Sequence, residues 1–290
     1  LFRSGLTYGD NGFYLDFADS SALGDDESGE THDWTSSGHA PTDQVVDSPT
    51  NNHMNIDSGY QRGSNTFSEG NLTVVVAAGS NNSIVSHRLP RTGKHYFEFE
   101  LDTTQGSAIT VGLVDATVAS GSLTHYAGTG HFGYYATDGN MYVDASTESY
   151  GASYTAGDII GVAIDFDAKT VQFYKNNTST GGQGVFDYSR SQFSNVKDWR
   201  ILASNATGSG GHTLIFDFGQ RGFTLTPPTG YTALSENNIT VDDQNLESPD
   251  FVWIKNRDTT DNHHLYDSVR GIKKALFSGT TTDETDKPKI

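Results

Sequence analysis

The chain has 290 residues, no cysteine, and 18 Lys and Arg against 36 Asp and Glu, a formal net charge of -18. This length can bury a sizeable core without cross-links, and the missing cysteines exclude a disulfide framework, a thiolate zinc site and a cysteine nucleophile. The acidic residues are spread along the chain and repel phosphate backbones, so nucleic acid is not an expected partner. No apolar run approaches the ~20 residues of a membrane-spanning helix, which predicts no membrane insertion.

Residues 1–65 are predicted to form a loop-rich N-terminal lead-in that packs on the domain after it. Asp, Ser, Gly, Asn and Thr dominate this segment, with few apolar anchors such as Leu23, Trp34 and Val45. Carboxylates in such a loop can ligate calcium, and the weak candidates here are Asp19, Asp25, Asp26 and Asp33. Their spacing does not match an EF-hand loop, so a solvated acidic loop is favoured and no other cofactor is expected.

The clearest strand pattern has Phe97, Phe99 and Leu101 alternating with Glu98 and Glu100. This alternation predicts a strand with one packed face and one wet face. The two glutamates share the wet face, as paired acids of sandwich-type glycosidases do. A glycan depolymerase using Glu98 and Glu100 is therefore an alternative, although the polar side of an amphipathic strand explains them more simply.

A predicted hairpin follows later in the chain. Residues 158–166 are apolar on both faces, which indicates a central strand, residues 167–170 supply turn chemistry and residues 171–175 return. Further strands are predicted at residues 70–77, 109–113, 132–136, 140–143, 200–203 and 212–218. Many short strands joined by turns are typical of an antiparallel β-sandwich. The predicted fold class is therefore all-β, with the sandwich at residues 66–234 and a small appended unit at residues 235–290.

Three stretches resemble the SPRY family, and they occur in the family's order. They are GKHYFEFE at residues 93–100, GDIIGVAIDFD followed by VQFYKNN within residues 157–177, and FDFGQRGF at residues 216–223. The resemblance implies a concanavalin-like jelly roll that binds partners through loops at one end of the sandwich. Phe97 stands where the family commonly has Trp, and Asn177 where Gly usually completes the hairpin turn; neither departure threatens the fold.

The flanking segments resemble those of SPRY-bearing tail fibre proteins of marine phages. The resemblance rests on GFYLDF at residues 12–17, FSEGNL at residues 67–72 and FVWIKNR at residues 251–257, and it implies further strands after residue 290. It also implies a non-enzymatic protein on the virion surface, extracellular and homo-oligomeric with a trimer favoured. Its partners would be other virion proteins and a host cell-surface glycan or protein. A capsid-decoration or spacer protein without receptor binding is the alternative.

Tyrosines in or beside predicted loops are the candidate ligand-binding residues. A Tyr ring offers flat apolar area, and its hydroxyl fixes the orientation of a bound sugar or peptide. The predicted recognition edge comprises Tyr126, Asp138, Asn140, Tyr150 and Tyr154. The alternative is that about half of the loop tyrosines fill the core or a seam between protomers. No residue is assigned a catalytic role.

Overall fold

A computed structural model describes residues 9–39, 41, 44–47, 51–104, 108–124, 130–179, 184–206, 210–239, 251–255, 259–260, 262–267, 274–277 and 285–286. The chain divides into two compact units, Leu1–Ile239 and Thr240–Ile290. Within the described ranges no helix is long and apolar enough to cross a membrane.

The first unit is built from short strands, as the sequence predicts. In chain order they are β1 (Ile56–Arg62), β2 (Thr66–Ser68), β3 (Thr73–Val76), β4 (Ser83–Arg88), β5 (Lys94–Thr104), β6 (Ile109–Asp115), β7 (His131–Tyr135), β8 (Met141–Val143), β9 (Ser146–Glu148), β10 (Ile159–Asp165), β11 (Thr170–Lys175), β12 (Thr178–Ser179), β13 (Phe186–Asp187), β14 (Trp199–Asn205), β15 (His212–Asp217) and β16 (Thr232–Ala233). Short 3-10 turns at Ser120–Ser122, Ser191–Phe193 and Glu236–Asn238 complete the regular elements.

These strands form two sheets. One has the order β1-β4-β14-β6-β7-β8-β9, and the other has the order β12-β11-β10-β5-β15-β3-β2, with β13 added beside β11 and β16 beside β5. All of these pairs are antiparallel except β16 with β5, which is parallel. The predicted antiparallel β-sandwich is confirmed.

The core lies between the two sheets and is rich in aromatic rings. Phe97, Phe99 and Leu101 of β5 are all buried, which confirms the predicted alternation. Rings from the two sheets meet there, since Tyr134 of β7 and Phe173 of β11 have ring centroids 5.2 Å apart. Burying each such ring stabilises the fold by about 1.5–3 kcal/mol.

The strand predicted to be central is central. Strand β10 lies between β11 and β5 and pairs with both along its length. The turn that links β10 to β11 holds Lys169 at φ 57°, and the next turn holds Asn176 and Asn177 at φ 47° and 71°. Asn tolerates this left-handed conformation well, so Asn177 can serve where the family usually has Gly.

The sandwich takes in one strand ahead of residue 66. Strand β1 pairs with β4 at the edge of its sheet, although its sequence IDSGYQR lacks a run of apolar residues that would predict a strand. The lead-in also bonds to the sandwich through its backbone, because Val46 N donates to Gln220 O at 3.1 Å and Met54 N donates to Leu234 O at 2.9 Å.

The second unit contains its own small sheet. Its strands are β17 (Phe251–Ile254), β18 (His264–Asp267), β19 (Lys274–Phe277) and β20 (Thr285–Asp286), paired antiparallel in that order. Tyr266 and Ala275 are buried, and they are the described core positions of this unit.

Candidate ligand-binding site

Two of the predicted binding tyrosines lie in the core. Tyr154 is 1 % exposed and donates to Tyr134 O at 3.0 Å. Tyr150 is 5 % exposed; its hydroxyl donates to Gly184 O at 3.0 Å and accepts from Phe173 N at 3.1 Å. Burial raises the pKa of the Tyr154 hydroxyl well above its ordinary value. The prediction that Tyr150 and Tyr154 present exposed rings is therefore wrong, because both side chains pack in the core and form hydrogen bonds with the backbone.

Asp138 and Asn140, two further predicted site residues, lie in a turn of the sandwich. Asp138 is exposed in the turn between β7 and β8 and accepts from Asn140 N and Asn140 Nδ2, both at 2.9 Å. Tyr142 Oη also donates to it at 3.4 Å. Asp138 and Asn140 therefore stabilise their own turn, and their role in ligand binding stays a prediction. Tyr126 lies outside the described residues.

Asp26, one of the calcium candidates, organises the lead-in instead. Its carboxylate accepts from Tyr14 N at 2.8 Å, from Ser28 N at 2.9 Å, from Ser28 Oγ at 2.7 Å and from His32 N at 3.0 Å. Burial favours the neutral acid, but these hydrogen bonds outweigh it and hold the pKa of Asp26 below its ordinary value. The oxygens are thus occupied by the chain itself.

The remaining calcium candidates do not converge on Asp26 as ligands. Asp19 accepts from Ser21 N and Ser21 Oγ, and Asp33 accepts from Asp26 N at 3.1 Å. Asp25 is exposed. No group of three or more His, Asp or Glu side chains in the described part of the chain could hold a metal ion. Asp19, Asp26 and Asp33 therefore accept hydrogen bonds from backbone amides of the lead-in, and none of these bonds joins two of the four carboxylates to a common centre.

The lead-in contains a cavity that the sequence does not predict. This aromatic pocket has a volume of about 540 Å³, and its lining includes Leu15, Phe17, Leu23, Trp34, Gln44 and Val45. Trp34 and Phe17 are each 56 % exposed, whereas the three aliphatic side chains are half-buried. Half-exposed aromatic rings beside an aliphatic base are available to a ligand.

A close backbone approach positions Trp34. Its amide donates to Gly24 O at 2.8 Å, and a Cβ on Gly24 would collide with the Trp34 carbonyl. Phe13 packs edge-on against the indole, with ring centroids 5.3 Å apart. Only glycine permits this approach, so the position of the indole depends on Gly24.

Gln44 fixes the opposite wall. Its Nε2 donates to Phe17 O and to Ala18 O, both at 2.7 Å. Phe17 has a φ of 54°, an uncommon conformation for an aromatic residue. The neighbouring Val46 bonds to the sandwich, so the wall is anchored to the main body of the first unit.

The rim of the aromatic pocket is polar. Asp16, His39 and Asp47 line it together with Ser36 and Ser37. Sites for small ligands are typically concave, mostly apolar and supplied with a few polar groups that orient the ligand, at about 300–1,000 Å³. The aromatic pocket has this combination, and it suits a ligand with apolar faces and hydroxyl edges.

Glu98 is not an open catalytic acid. It is 3 % exposed, and its oxygens accept from Leu225 N at 2.8 Å, Thr224 N at 2.9 Å and Tyr96 Oη at 3.0 Å. Burial raises its pKa, although the three hydrogen bonds oppose that rise. Glu100 is half-buried, so the expected wet face is wrong at Glu98 and the two acids do not form an open pair.

The fold defines an all-β protein, an antiparallel sandwich with a cavity in its lead-in. Residues 94–193 match the family model described as the SPRY domain, and residues 229–290 match the model described as Domain of unknown function (DUF7483). The first match confirms the SPRY resemblance for the central segment. SPRY domains are typically non-catalytic and mediate binding to proteins or other ligands.

Similar solved structures include the SPRY domain of human HERC1, with 17% identity and a TM-score of 0.47 over 56% of this chain and 96% of that one. The TRIM65 PSpry domain has 12% identity and a TM-score of 0.43 over 57% of this chain and 92% of that one. Stonustoxin has 16% identity and a TM-score of 0.42 over 57% of this chain and 27% of its own. The comparison with curated proteins gives no match.

Proposed function

We propose that this protein is a non-enzymatic component of a phage virion, a tail fibre, and that its aromatic pocket binds a glycan of the bacterial surface. The observation that carries the binding function is the pair of half-exposed rings, Trp34 and Phe17, in a cavity of about 540 Å³ with a polar rim. The resemblance of the flanking segments to phage tail fibres supports the setting.

The shape of the pocket favours a sugar over a protein partner. A sugar ring has apolar C–H faces that pack on aromatic rings and hydroxyl groups that bond to carboxylates and amides. Asp16 and Gln44 supply such groups beside the two rings. A stable protein interface would cover about 800 Å² on each partner, whereas this cavity has the size of a small-ligand site.

The proposed setting is the virion surface, outside the cell. Tail fibres act as closed symmetric oligomers, and a trimer is the proposed state. Light scattering on the purified full chain measures this directly: a mass three times that of one chain is expected, and a monomeric mass at micromolar concentration contradicts the trimer.

Adsorption to host cells tests the binding function. Trp34→Ala removes one wall of the aromatic pocket, and we expect at least about tenfold weaker binding, equivalent to about 1.4 kcal/mol. Trp253→Ala is the matched control, because Trp253 is 60 % exposed but lies in the second unit. Its binding should equal that of the wild type.

Two outcomes would contradict the proposal. Equal binding by Trp34→Ala and the wild type would exclude the aromatic pocket as the site. If the wild type binds no host glycan and yet is incorporated into particles, it is a decoration or spacer protein.

A further inference from the structure

A second cavity lies at a different part of the first unit, where the chain reverses between β10 and β11 and ahead of β14. This cationic pocket has a volume of about 170 Å³, and its lining includes Arg91, Phe166, Lys169, Tyr188, Lys197 and Trp199. Three of these side chains are basic and none is acidic. Such a lining stands out in a chain with a net charge of -18.

Packed aromatic rings hold the base of the cationic pocket. Trp199 contacts Tyr188 and Phe193 with ring centroids 5.5 and 5.6 Å apart, and all three residues are buried. Tyr188 N donates to Lys169 O at 2.9 Å, which joins the hairpin turn to this base. The backbone that carries Lys169 is therefore attached to a packed aromatic base.

One cation is fixed by an ion pair. Arg91 Nε donates to Asp198 Oδ1 at 2.6 Å, and Arg88 Nη1 donates to Asp198 Oδ2 at 2.8 Å. Asp198 thus sets one negative charge against two arginines, so this cluster keeps a net positive charge. The remaining guanidinium N–H groups of Arg91 are donors in a fixed plane.

The two lysines of the pocket make no direct ion pair, although the charge of Lys197 also acts on Asp198. Lys169 and Lys197 are exposed, and neither forms an ion pair within the part of the chain that the structure describes. Lys169 also has a φ of 57°, a conformation in which Gly or Asn is far more common. A lysine at this position places a positive charge at the pocket at some cost in backbone strain.

We propose that the cationic pocket binds the carboxylate of a sugar acid, a uronic acid residue of the bacterial glycan. Lys169, Lys197 and Arg91 donate to the carboxylate. The volume admits a single acidic group, and the acidic remainder of the surface repels a polyanion. The choice of a sugar acid rests on the proposed function, whereas the anion-binding role of the three cations does not.

The test is a titration of the full chain, followed by NMR, with glucuronic acid as the probe and glucose as its neutral control. We expect glucuronate to shift signals of residues around Lys169 and Trp199, and glucose to leave them unchanged. Lys169→Asn and Lys197→Gln should each weaken glucuronate binding about tenfold. Lys255→Gln, a matched charge loss in the second unit, should bind as the wild type does.

Thermal unfolding separates a binding defect from a folding defect. Asn tolerates the left-handed conformation, so Lys169→Asn should unfold at the wild-type temperature or above it while binding is lost. An unfolding temperature at or above that of the wild type, together with weaker binding, supports the proposal.

Three results would overturn the inference. They are no response to glucuronate, equal weakening by Lys255→Gln, and tighter binding of N-acetylglutamate than of glucuronate, since the last would indicate an acidic peptide as the ligand. Retained glucuronate binding by a protein that fails to adsorb to any host would contradict the proposed function and leave the cationic pocket intact.

Discussion

Glu98 holds the segment after β15 against strand β5 through hydrogen bonds with Thr224 and Leu225, and its removal should destabilise the first unit. Glu98→Ala deletes three hydrogen bonds, to Leu225 N, Thr224 N and Tyr96 Oη. Each contributes about 1 kcal/mol net, so the gross loss is about 3 kcal/mol. Removing a carboxylate whose pKa is raised by burial recovers part of this loss. We expect the free energy of unfolding to fall by about 2 kcal/mol.

Urea denaturation and amide hydrogen exchange measure this effect globally and locally. Glu100→Ala is the control: it removes a half-buried glutamate two residues along the same strand, and should change the free energy of unfolding by less than about 0.5 kcal/mol. In Glu98→Ala the amides of Thr224 and Leu225 should lose protection. Equal destabilisation by the two variants, or unchanged protection of those amides, would refute the role of Glu98 in holding this segment against β5.

Three further predictions concern pH and the pocket. Burial raises the pKa of Glu98 above 4.5, so the folded state binds this proton more tightly than the unfolded state does. The stability advantage of the wild type over Glu98→Ala is therefore full below pH 4.5 and shrinks as pH rises through the folded pKa. Urea midpoints along a pH series measure this change. Burial lowers the pKa of His212 from 6.5 to about 4. The protein therefore loses stability as pH falls through this window, by up to about 3 kcal/mol. The same pH series on His212→Leu should lack that loss. Gly24→Ala should abolish glycan binding by displacing Trp34, and leave the thermal midpoint of the sandwich unchanged in calorimetry; retained binding would show that the aromatic pocket tolerates the added Cβ.

The alternation in β5 carried enough information to predict that strand and its packed face. Phe97, Phe99 and Leu101 recur with the period of two that a pleated strand imposes, and this pattern does not depend on distant residues. The burial of Glu98 does depend on them. The segment that buries Glu98 contains Thr224 and Leu225, more than a hundred residues along the chain, and no local pattern encodes that contact.

The candidate site was less predictable than the fold. Loop composition suggested that Tyr150 and Tyr154 are exposed, but hydrogen bonds to distant backbone groups hold both in the core. The aromatic pocket forms because Gly24 lets the backbone of Trp34 approach closely. An isolated Trp in a polar run was the one available signal, and it indicated an apolar anchor as readily as an exposed ring.

The indole signals of the three tryptophans test the proposed function most directly. The full chain, labelled with ¹⁵N, is titrated with the host glycan to which the wild type adsorbs. We predict that the indole signal of Trp34 shifts with saturation and that the signal of Trp253 in the second unit stays in place. Trp199 lines the cationic pocket, so its signal reports on that pocket instead. Saturable binding that leaves the Trp34 signal unchanged would contradict the assignment of the aromatic pocket as the glycan site.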